Sequence, residues 1–270
     1  MVFTDDQHRT FERDGFLCVP GFFSQEEVKV MQAEIERFKA EGLLRNVATE
    51  GDGKTQSATR KNLQLCPTHP HSETFKALPF DEKVVTAVEE LLGGPVRLRL
   101  DQVFLKPARD GAGTNWHQDN AYFRVSEPTK GVAMWIAVHD ATVENGTMHM
   151  VPGQHHEAME HRRDGDSDHH IRCYPDESRE VPCELPAGGV VFFSYGTPHC
   201  TKGNQSDRDR AGLAYHFYHA DFLPNDGQRN YPMPYLSGSD AQGGKAEYGE
   251  DQRGKWRAVV DGQKLEASVG

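Results

Sequence analysis

The segment VRLRLDQVFLKPAR, residues 96 to 109, marks the point at which the chain changes from helical to strand-like patterning. Even-numbered positions from 96 to 104 are apolar apart from Gln102, whereas positions 97, 99 and 101 are charged. Successive side chains of a strand point to opposite faces, so this alternation predicts a strand with Val96 and Gln102 on one face. The segment therefore predicts the first strand of a β-rich core.

Four segments further along the chain have the composition of short strands, with turn sequences such as ENG (144–146) and AGG (187–189) between them. They are VAMWIAV (132–138), TMHMV (147–151), VVFFS (190–194) and GLAYHFYHA (212–220). Short strands in series are typical of closed or double-sheet β architectures, among which a jelly roll is the leading candidate. We therefore predict a mainly β fold with flanking helices and a core over about residues 96–222.

The N-terminal part, about residues 1–95, is predicted to be mainly helical. One helix follows Thr4, a second begins at a capping box formed by Ser24 and Glu27, and a third lies near residues 81–92. After Phe222 the chain is rich in Pro, Gly, Asn and Asp, so we expect an irregular tail. A length of 270 residues suits one undivided domain, which we expect to span residues 1–270.

The polar segment of residues 156–182 is too long for a simple hairpin between the strands on either side of it. Long connections in compact domains either cover a functional site or form solvated excursions. A lid and a surface loop therefore remain alternative interpretations of this segment.

The balance of charge argues against two classes of partner. The 41 acidic residues outnumber the 30 basic ones, which gives a formal net charge of −11, so we expect neither nucleic acid nor a membrane surface as a partner. The N-terminus is too polar for a secretory signal, and no apolar run approaches the roughly 20 residues that cross a bilayer. The five cysteines form no Cys-x-x-Cys pair, and we expect free thiols in a cytoplasmic protein.

The sequence NWHQDNAY, residues 115–122, contains a His-x-Asp pattern that suits metal binding. Residues two apart on an extended strand project to the same side, so His117 and Asp119 can present a nitrogen and an oxygen to one ion. The best candidate for a third ligand is His199, which lies just beyond the apolar strand 190–194. An isolated His-x-Asp is a weak signal, because a lone histidine is more often a surface or hydrogen-bonded residue.

Two imidazoles and one carboxylate on one side of an ion leave its other positions open, as in non-haem iron(II) oxygenases. A structural zinc site instead prefers four ligands, usually including thiolates. Cys200 follows His199 directly, but adjacent residues of a strand point to opposite faces, so we do not expect its thiol to be a ligand.

An arginine near the predicted metal site suits the binding of a dicarboxylate. Arg210 follows His199 by eleven residues and stands at the start of the strand over 212–220. Its guanidinium can offer two parallel N–H donors to a carboxylate such as the distal one of 2-oxoglutarate. The alternatives are a surface role for Arg210 and the use of Arg208, which lies in a more polar turn.

Four stretches of the chain together resemble the phytanoyl-CoA dioxygenase family of iron- and 2-oxoglutarate-dependent oxygenases. They are DGFLCVPGFFSQEEV (14–28), NWHQDNAYF (115–123), MWIAVHDATVENGTMHMVPGQHH (134–156) and PHCTKGNQSDRDR (198–210). The resemblance implies a double-stranded β-helix, a cupin-like jelly roll with helices packed around it. It also implies Fe(II) as the metal and 2-oxoglutarate and O2 as cosubstrates.

The resemblance assigns roles to the four candidate residues. His117, Asp119 and His199 would ligate iron, and Arg210 would bind the distal carboxylate of 2-oxoglutarate. Relatives that halogenate lack the metal-binding carboxylate, whereas Asp119 is present here. The resemblance therefore implies the hydroxylation of a small-molecule metabolite, with release of succinate and CO2.

Further residues are candidates for lining the same site. Trp135 and Thr201 occupy positions that line the cosubstrate in relatives, and Gln102 is a further candidate contact for 2-oxoglutarate. Simple core packing is the alternative role for Trp135, because buried tryptophans mostly supply apolar area. Asn120 and Tyr122, beside the metal ligands, are candidates for contact with the substrate.

Two other classes of function use part of this pattern. A divalent-metal hydrolase on a similar barrel would use the three ligands with a bound water, but it would not need Arg210. A non-catalytic barrel that binds a metal or small ligand would be favoured by the loss of a ligand, and all three ligands are present. The 2-oxoglutarate-dependent dioxygenase is therefore the favoured interpretation.

Overall fold

Two antiparallel β-sheets form the centre of the computed structural model, which describes residues 1–50, 52, 54–163, 171–222 and 232–269. Apolar side chains from both sheets pack together between them. Helices cover the other face of the larger sheet, as the prediction of a mainly β fold with flanking helices requires. Among the described helices, none combines the length and the apolar character that would let it cross a membrane.

The described strands divide unevenly between the two sheets. The larger sheet contains β1 (Phe16–Val19), β2 (Arg45–Asn46), β3 (Leu63–Leu65), β4 (Val96–Lys106), β6 (Gly131–Ala137), β9 (Val190–Ser194) and β11 (Arg210–His219). The smaller sheet contains β5 (Thr114–His117), β7 (Met148–Met150), β8 (Val181–Cys183) and β10 (His199–Thr201). The strand order is β1-β9-β6-β11-β4-β3-β2 in the larger sheet and β5-β10-β7-β8 in the smaller one.

The predicted N-terminal helices are present, with short strands between them. The described helices are α1 (Asp5–Asp14), α2 (Gln25–Ala40), α3 (Glu73–Ala77), α4 (Glu82–Leu92), α5 (Asn120–Phe123), α6 (Lys245–Tyr248) and α7 (Lys255–Val269). Thr4 and Ser24 close capping boxes at the starts of α1 and α2. The prediction missed β1, β2 and β3, because strands of two to four residues are too short to show an alternating pattern.

A bulge in β4 changes which face its side chains occupy. Between Leu98 and Leu100 the register with β11 shifts by one residue, so Arg99 is the extra residue of the bulge. Val96 packs in the core beneath the helices, whereas Gln102 lines a cavity on the opposite face. The prediction that these two side chains share a face was therefore wrong, because one inserted residue reverses the alternation that follows it.

The main apolar core lies between the helices and the larger sheet. On β11, odd-numbered residues such as Leu213 and Phe217 face this core, and Ala214 faces the smaller sheet. On β6 the even-numbered residues face the core, and Trp135 faces the smaller sheet. One face of the larger sheet is thus fixed by close packing, and the other is available to line a site.

Residues 232–244 and 249–254 form neither helix nor strand, whereas α6 and α7 contradict the expectation of an irregular tail after Phe222. Trp256 and Val260 of α7 are buried, and the Trp256 indole Nε1–H donates to Glu27 Oε1 on α2 at 3.0 Å. The prediction missed this helix because it judged the whole tail by the Pro-, Gly-, Asn- and Asp-rich sequence after Phe222, although Trp256, Val259 and Val260 stand at helical spacing. Packing on α2 therefore holds α7 in place, beyond what its short apolar pattern provides.

Replacement of Trp256 by Ala tests this packing. It removes a buried indole that also satisfies the Glu27 carboxylate, and we expect the free energy of unfolding to fall by roughly 3–5 kcal/mol. Trp256→Phe keeps most of the apolar volume and should lose clearly less. Urea unfolding followed by circular dichroism measures both values, and an unchanged transition midpoint in Trp256→Ala would contradict the described packing of α7.

Candidate metal centre and the adjoining cavity

The two histidines of the predicted metal site meet because their strands are neighbours in the smaller sheet. β5 and β10 pair antiparallel, and His117 lies directly opposite His199 in the register. Their ring centroids are 4.1 Å apart. Two residues that are distant in the chain are therefore brought together by strand pairing.

Asp119 joins them by a backbone geometry that differs from the predicted one. β5 ends at His117, and Asp119 has helical backbone angles (φ −57°, ψ −32°) as the residue before α5. The argument from an extended strand was therefore wrong in its reason, although the turn still brings the carboxylate to the histidines. Asp119 Oδ1 lies 3.7 Å from Nε2 of His117 and 3.7 Å from Nε2 of His199.

Hydrogen bonds orient both imidazoles for metal binding. His117 Nδ1–H donates to Asn115 O at 2.8 Å, and His199 Nδ1–H donates to Thr197 O at 3.0 Å. Each ring therefore turns the lone pair of Nε2 toward Asp119. Burial lowers the pKa of His117 to about 3 and also lowers the pKa of His199, so both rings are neutral near pH 7.

The Asp119 carboxyl is ionised in the same surroundings. Burial alone would raise its pKa, but the neighbouring imidazoles of His199, His216 and His117 hold the pKa well below its usual value. Two neutral nitrogens and one anionic oxygen are the protonation states that a divalent transition metal requires of its ligands.

The donor set fits ferrous iron better than structural zinc. In the described part of the chain, His117, Asp119 and His199 are the one group of His, Cys, Asp or Glu residues whose donor atoms all lie within 4.8 Å of one another. Cys200 packs with Trp116, Val151 and Cys173 instead, so its thiol faces away from the site, as expected. Two imidazoles and a carboxylate with no thiolate leave open positions on the ion.

A cavity of about 240 Å³ adjoins these three ligands. Its lining includes nearly all of the site residues predicted from the sequence, together with several that were not predicted. The predicted ones are His117, Asp119, His199, Gln102, Tyr122, Trp135, Thr201 and Arg210. Those not predicted include Asn62, Gln64, Lys106 and His216.

Asn120 is absent from the described lining of the cavity. Its side-chain Nδ2 donates to Val125 O at 3.1 Å, and its Oδ1 accepts from Val125 N at 2.8 Å. The amide therefore closes the turn that follows α5. We withdraw Asn120 as a candidate for substrate contact, because both ends of its amide group are already bound to the backbone.

Arg210, the first residue of β11, is a buried cation that lines the cavity. It is 1% exposed, and its guanidinium lies over the Trp135 ring at 5.4 Å from the centroid. One nitrogen donates to Gly146 O, whereas Nε has no hydrogen-bond partner among the described residues. Burial lowers the pKa of Arg210 to about 9, so the group remains charged near pH 7 and requires an anionic partner.

Gly212 explains how Trp135 reaches this position. The two residues lie on neighbouring strands, and a Cβ on Gly212 would come within 2.3 Å of the Trp135 indole Nε1. Only glycine lets the indole lie flat against β11 beside Arg210. Trp135 thus lines the cavity and does not only pack in the core, which was the alternative role.

Thr201 is held by a buried lysine that the prediction missed. Lys106 Nζ donates to Thr201 Oγ1 at 2.8 Å and to Ala112 O at 2.7 Å, and it also donates to Lys202 O. Thr114 Oγ1 lies 2.8 Å from the same Thr201 hydroxyl. A lysine at the end of an apolar strand looks like a surface residue in the sequence, so only the strand pairing identifies it.

Asn62 and Gln64 form a polar side of the cavity that the prediction also missed. Asn62 is fully buried, and neither atom of its amide group has a hydrogen-bond partner among the described residues. Gln64 Nε2 donates to Gln102 Oε1 at 3.0 Å. A buried amide without a partner is costly, so Asn62 is suited to bind a polar ligand in the cavity.

The first part of the 156–182 segment is attached to the metal-binding strand through Gln118. The Gln118 amide donates to Glu157 O and Gly196 O, each at 2.6 Å, and accepts from Met159 N at 3.0 Å. Farther along, Ile171 N donates to Tyr122 Oη at 3.1 Å. Residues 164–170 of this segment lie outside the described residues.

Metal binding can be tested by removing one ligand. Replacing a residue that hydrogen-bonds to a metal ligand typically weakens metal binding roughly 10- to 100-fold. We expect His199→Ala to weaken cobalt(II) binding by more than this, because it removes a ligand itself. Cys200→Ser is the matched control, because Cys200 lies on the same strand and faces away from the site. Anaerobic titration followed by the visible absorption of cobalt measures both affinities, and equal affinities would exclude His199 as a ligand.

Comparison with known proteins gives the family. The phytanoyl-CoA dioxygenase family model matches residues 11–212. An ectoine dioxygenase of Stutzerimonas stutzeri (strain A1501) is 27% identical over 247 residues, which cover 78% of this chain and 75% of that protein. An L-proline trans-4-hydroxylase of Streptomyces griseoviridis is 28% identical over 228 residues, which cover 75% of this chain and 82% of that protein.

Solved structures give the fold. EctD from S. alaskensis with bound Fe has a TM-score of 0.65 and 20% identity, with 83% of this chain and 79% of that chain covered. EctD has also been solved with 2-oxoglutarate and 5-hydroxyectoine, again with a TM-score of 0.65. This likeness confirms the predicted cupin-like jelly roll.

Proposed function

This chain belongs to the phytanoyl-CoA dioxygenase family and is a non-haem iron, 2-oxoglutarate-dependent dioxygenase, and we propose that it hydroxylates a small polar molecule. In this proposal His117, Asp119 and His199 hold the iron, and Arg210 binds 2-oxoglutarate. The observation that carries it is the convergence of three ligand atoms beside a cavity that contains a buried arginine.

The three ligands act by position and by protonation state. The two imidazoles offer Nε2 without first losing a proton, and Asp119 supplies the one negative charge. The chemistry supplied by bound iron and 2-oxoglutarate is the activation of O2, with succinate and CO2 as products. Because the ligands lie on one side of the site, the other side is free for the cosubstrate and O2.

Arg210 and Trp135 bind and orient the cosubstrate in this proposal. The guanidinium is buried and has an Nε–H donor without a partner, so a carboxylate satisfies both its charge and its hydrogen bond. Thr201 lies on the same strand as His199 and lines the same cavity as Arg210. A hydrolase that uses a bound metal would not also need the buried Arg210 guanidinium, so Arg210 favours the dioxygenase.

The remaining lining supports a small substrate with polar groups. Phe123, Phe193 and Met148 form apolar surface near the metal ligands and exclude water there. Asn62 offers an amide donor and acceptor at the polar side of the cavity. A free metabolite fits this combination, and Tyr122 remains a candidate contact because it lines the cavity. All five cysteines are free thiols, which supports a cytoplasmic setting.

Arg210→Ala tests the cosubstrate site. A hydrogen bond to a charged group contributes about 1.5–3 kcal/mol, so we expect roughly 10- to 100-fold weaker 2-oxoglutarate binding. The measurement is anaerobic titration of the iron-loaded protein with 2-oxoglutarate, followed by its weak visible charge-transfer band. Arg208→Ala is the matched control, because the Arg208 side chain is 92% exposed and should leave the affinity unchanged.

The iron affinity of Arg210→Ala should remain that of the wild type, which would show that the variant is folded. If Arg210→Ala binds 2-oxoglutarate as tightly as the wild type, the assigned role is wrong. Succinate release by the wild type with a panel of small polar metabolites then identifies the substrate. A panel in which only long-chain acyl thioesters stimulate succinate release would contradict the proposed substrate class.

A further inference from the structure

We propose that His216, supported by Gln102 and Gln64, positions the Asp119 carboxylate so that it offers one oxygen to the metal. The inference rests on the proposed function, in which Asp119 is an iron ligand. It gives Gln102 a role different from the direct contact with 2-oxoglutarate that the sequence suggested.

The two oxygens of Asp119 face different partners. Oδ1 lies 3.7 Å from Nε2 of both metal-binding histidines, whereas Oδ2 lies 3.4 Å from Nδ1 of His216. Neither Oδ2 nor His216 Nδ1 has a hydrogen-bond partner among the described residues, so the two facing atoms are available to each other. The carboxylate thus has one oxygen directed to the metal site and one directed to His216.

The side chain of Gln102 determines where the His216 ring carries its proton. Gln102 Nε2 lies 3.1 Å from His216 Nε2, and an amide nitrogen can only donate. His216 Nε2 therefore accepts this hydrogen bond, which leaves the ring proton on Nδ1, opposite Asp119 Oδ2. His216 thus directs an N–H toward the carboxylate, 3.4 Å from Oδ2.

Gln64 fixes the orientation of the Gln102 amide in turn. Gln64 Nε2 donates to Gln102 Oε1 at 3.0 Å, so the oxygen of Gln102 is already used on the side away from His216. If the Gln102 amide were rotated by half a turn, two amide nitrogens would face each other. Because the Asp119 carboxylate can only accept, the direction from Gln64 through Gln102 and His216 to Asp119 is the one in which no acceptor faces another acceptor.

Packing prevents the His216 ring from leaving this position. His216 is 4% exposed and lies on β11, which is paired on both sides, opposite Leu100 of β4 and Ala133 of β6. The edge of its ring meets Phe123 with centroids 5.1 Å apart. A ring held by backbone pairing on two sides and by an aromatic neighbour is a rigid support for the carboxylate.

This support has a specific effect on the metal site. A carboxylate without a partner for its second oxygen is free to rotate and to present both oxygens to the metal. The second oxygen would then occupy a position that the cosubstrate or O2 needs. Loss of a residue that hydrogen-bonds to a metal ligand typically lowers metal affinity or activity roughly 10- to 100-fold.

The experiment compares His216→Leu with His216→Asn. Asn places an amide nitrogen close to where His216 has Nδ1, so it keeps the donor to Asp119, and Leu removes it. We expect cobalt(II) affinity, measured anaerobically without 2-oxoglutarate, to fall roughly 10- to 100-fold in His216→Leu and to stay near wild type in His216→Asn. The charge-transfer band of the iron and 2-oxoglutarate complex should shift in His216→Leu and recover in His216→Asn.

Two further variants separate positioning from simple structural damage. Gln102→Leu removes the N–H that directs the His216 proton, and we expect it to weaken cobalt binding in the same direction as His216→Leu. His139→Leu is the control. His139 accepts a hydrogen bond from Ala211 N of β11, the strand that also carries His216, but His139 lies outside the described lining of the cavity. It should bind cobalt as the wild type does.

The outcomes distinguish a failure of this inference from a failure of the proposed function on which it rests. Wild-type protein that binds neither cobalt nor ferrous iron would overturn both. Wild-type binding with equal affinity in His216→Leu would overturn the inference alone. Gln102→Leu with weaker 2-oxoglutarate binding and unchanged cobalt affinity would return Gln102 to a direct cosubstrate contact and overturn its role behind His216.

Discussion

The pairing of β11 on both of its edges is the constraint on which the rest of the site depends. β4 and β6 are hydrogen-bonded to it along most of its length, so its side chains alternate strictly between the helical core and the cavity. Leu213 and Phe217 anchor the strand in the core. Arg210 and His216, on the opposite face, are thereby held in the lining of the cavity.

The two sheets divide the chemistry between them. The smaller sheet supplies both metal-binding imidazoles, opposite each other on β5 and β10, and the turn after β5 supplies the carboxylate. The larger sheet supplies the buried cation and His216, which faces the carboxylate and is contacted by Gln102. The bulge at Arg99 connects these parts, because it directs Gln102 into the cavity where His216 lies.

The sequence was sufficient for the class of enzyme, the cofactors and the jelly roll, all of which the comparisons confirm. It was sufficient because the ligands are chemically distinctive and appear in a family-specific order. The roles of individual residues remain proposals, including those of His117, Asp119, His199 and Arg210. The structure brings these four side chains to one cavity.

The residues that the sequence could not predict are those that depend on strand pairing. Lys106, Asn62 and Gln64 are ordinary polar residues until β3 and β4 pair and direct them inward. Asn120 was selected for its place beside the metal ligands, but the local turn uses its side chain. A bulge and a turn leave no periodic signal in a single sequence, and the short apolar pattern of Trp256, Val259 and Val260 was outweighed by the polar sequence before it.

The hydrogen bonds of Gln118 have a consequence for how molecules reach the iron. This residue stands between two metal ligands in the chain, and its amide is bonded to the backbone at 157, 159 and 196. Swinging the backbone of 157–159 outward would break two of these three bonds, each worth about 0.5–1.5 kcal/mol, and expose a buried amide. Opening of residues 157–159 therefore costs about 1–3 kcal/mol, so this stretch is closed over Gln118 in most molecules and opens in a minor fraction of them.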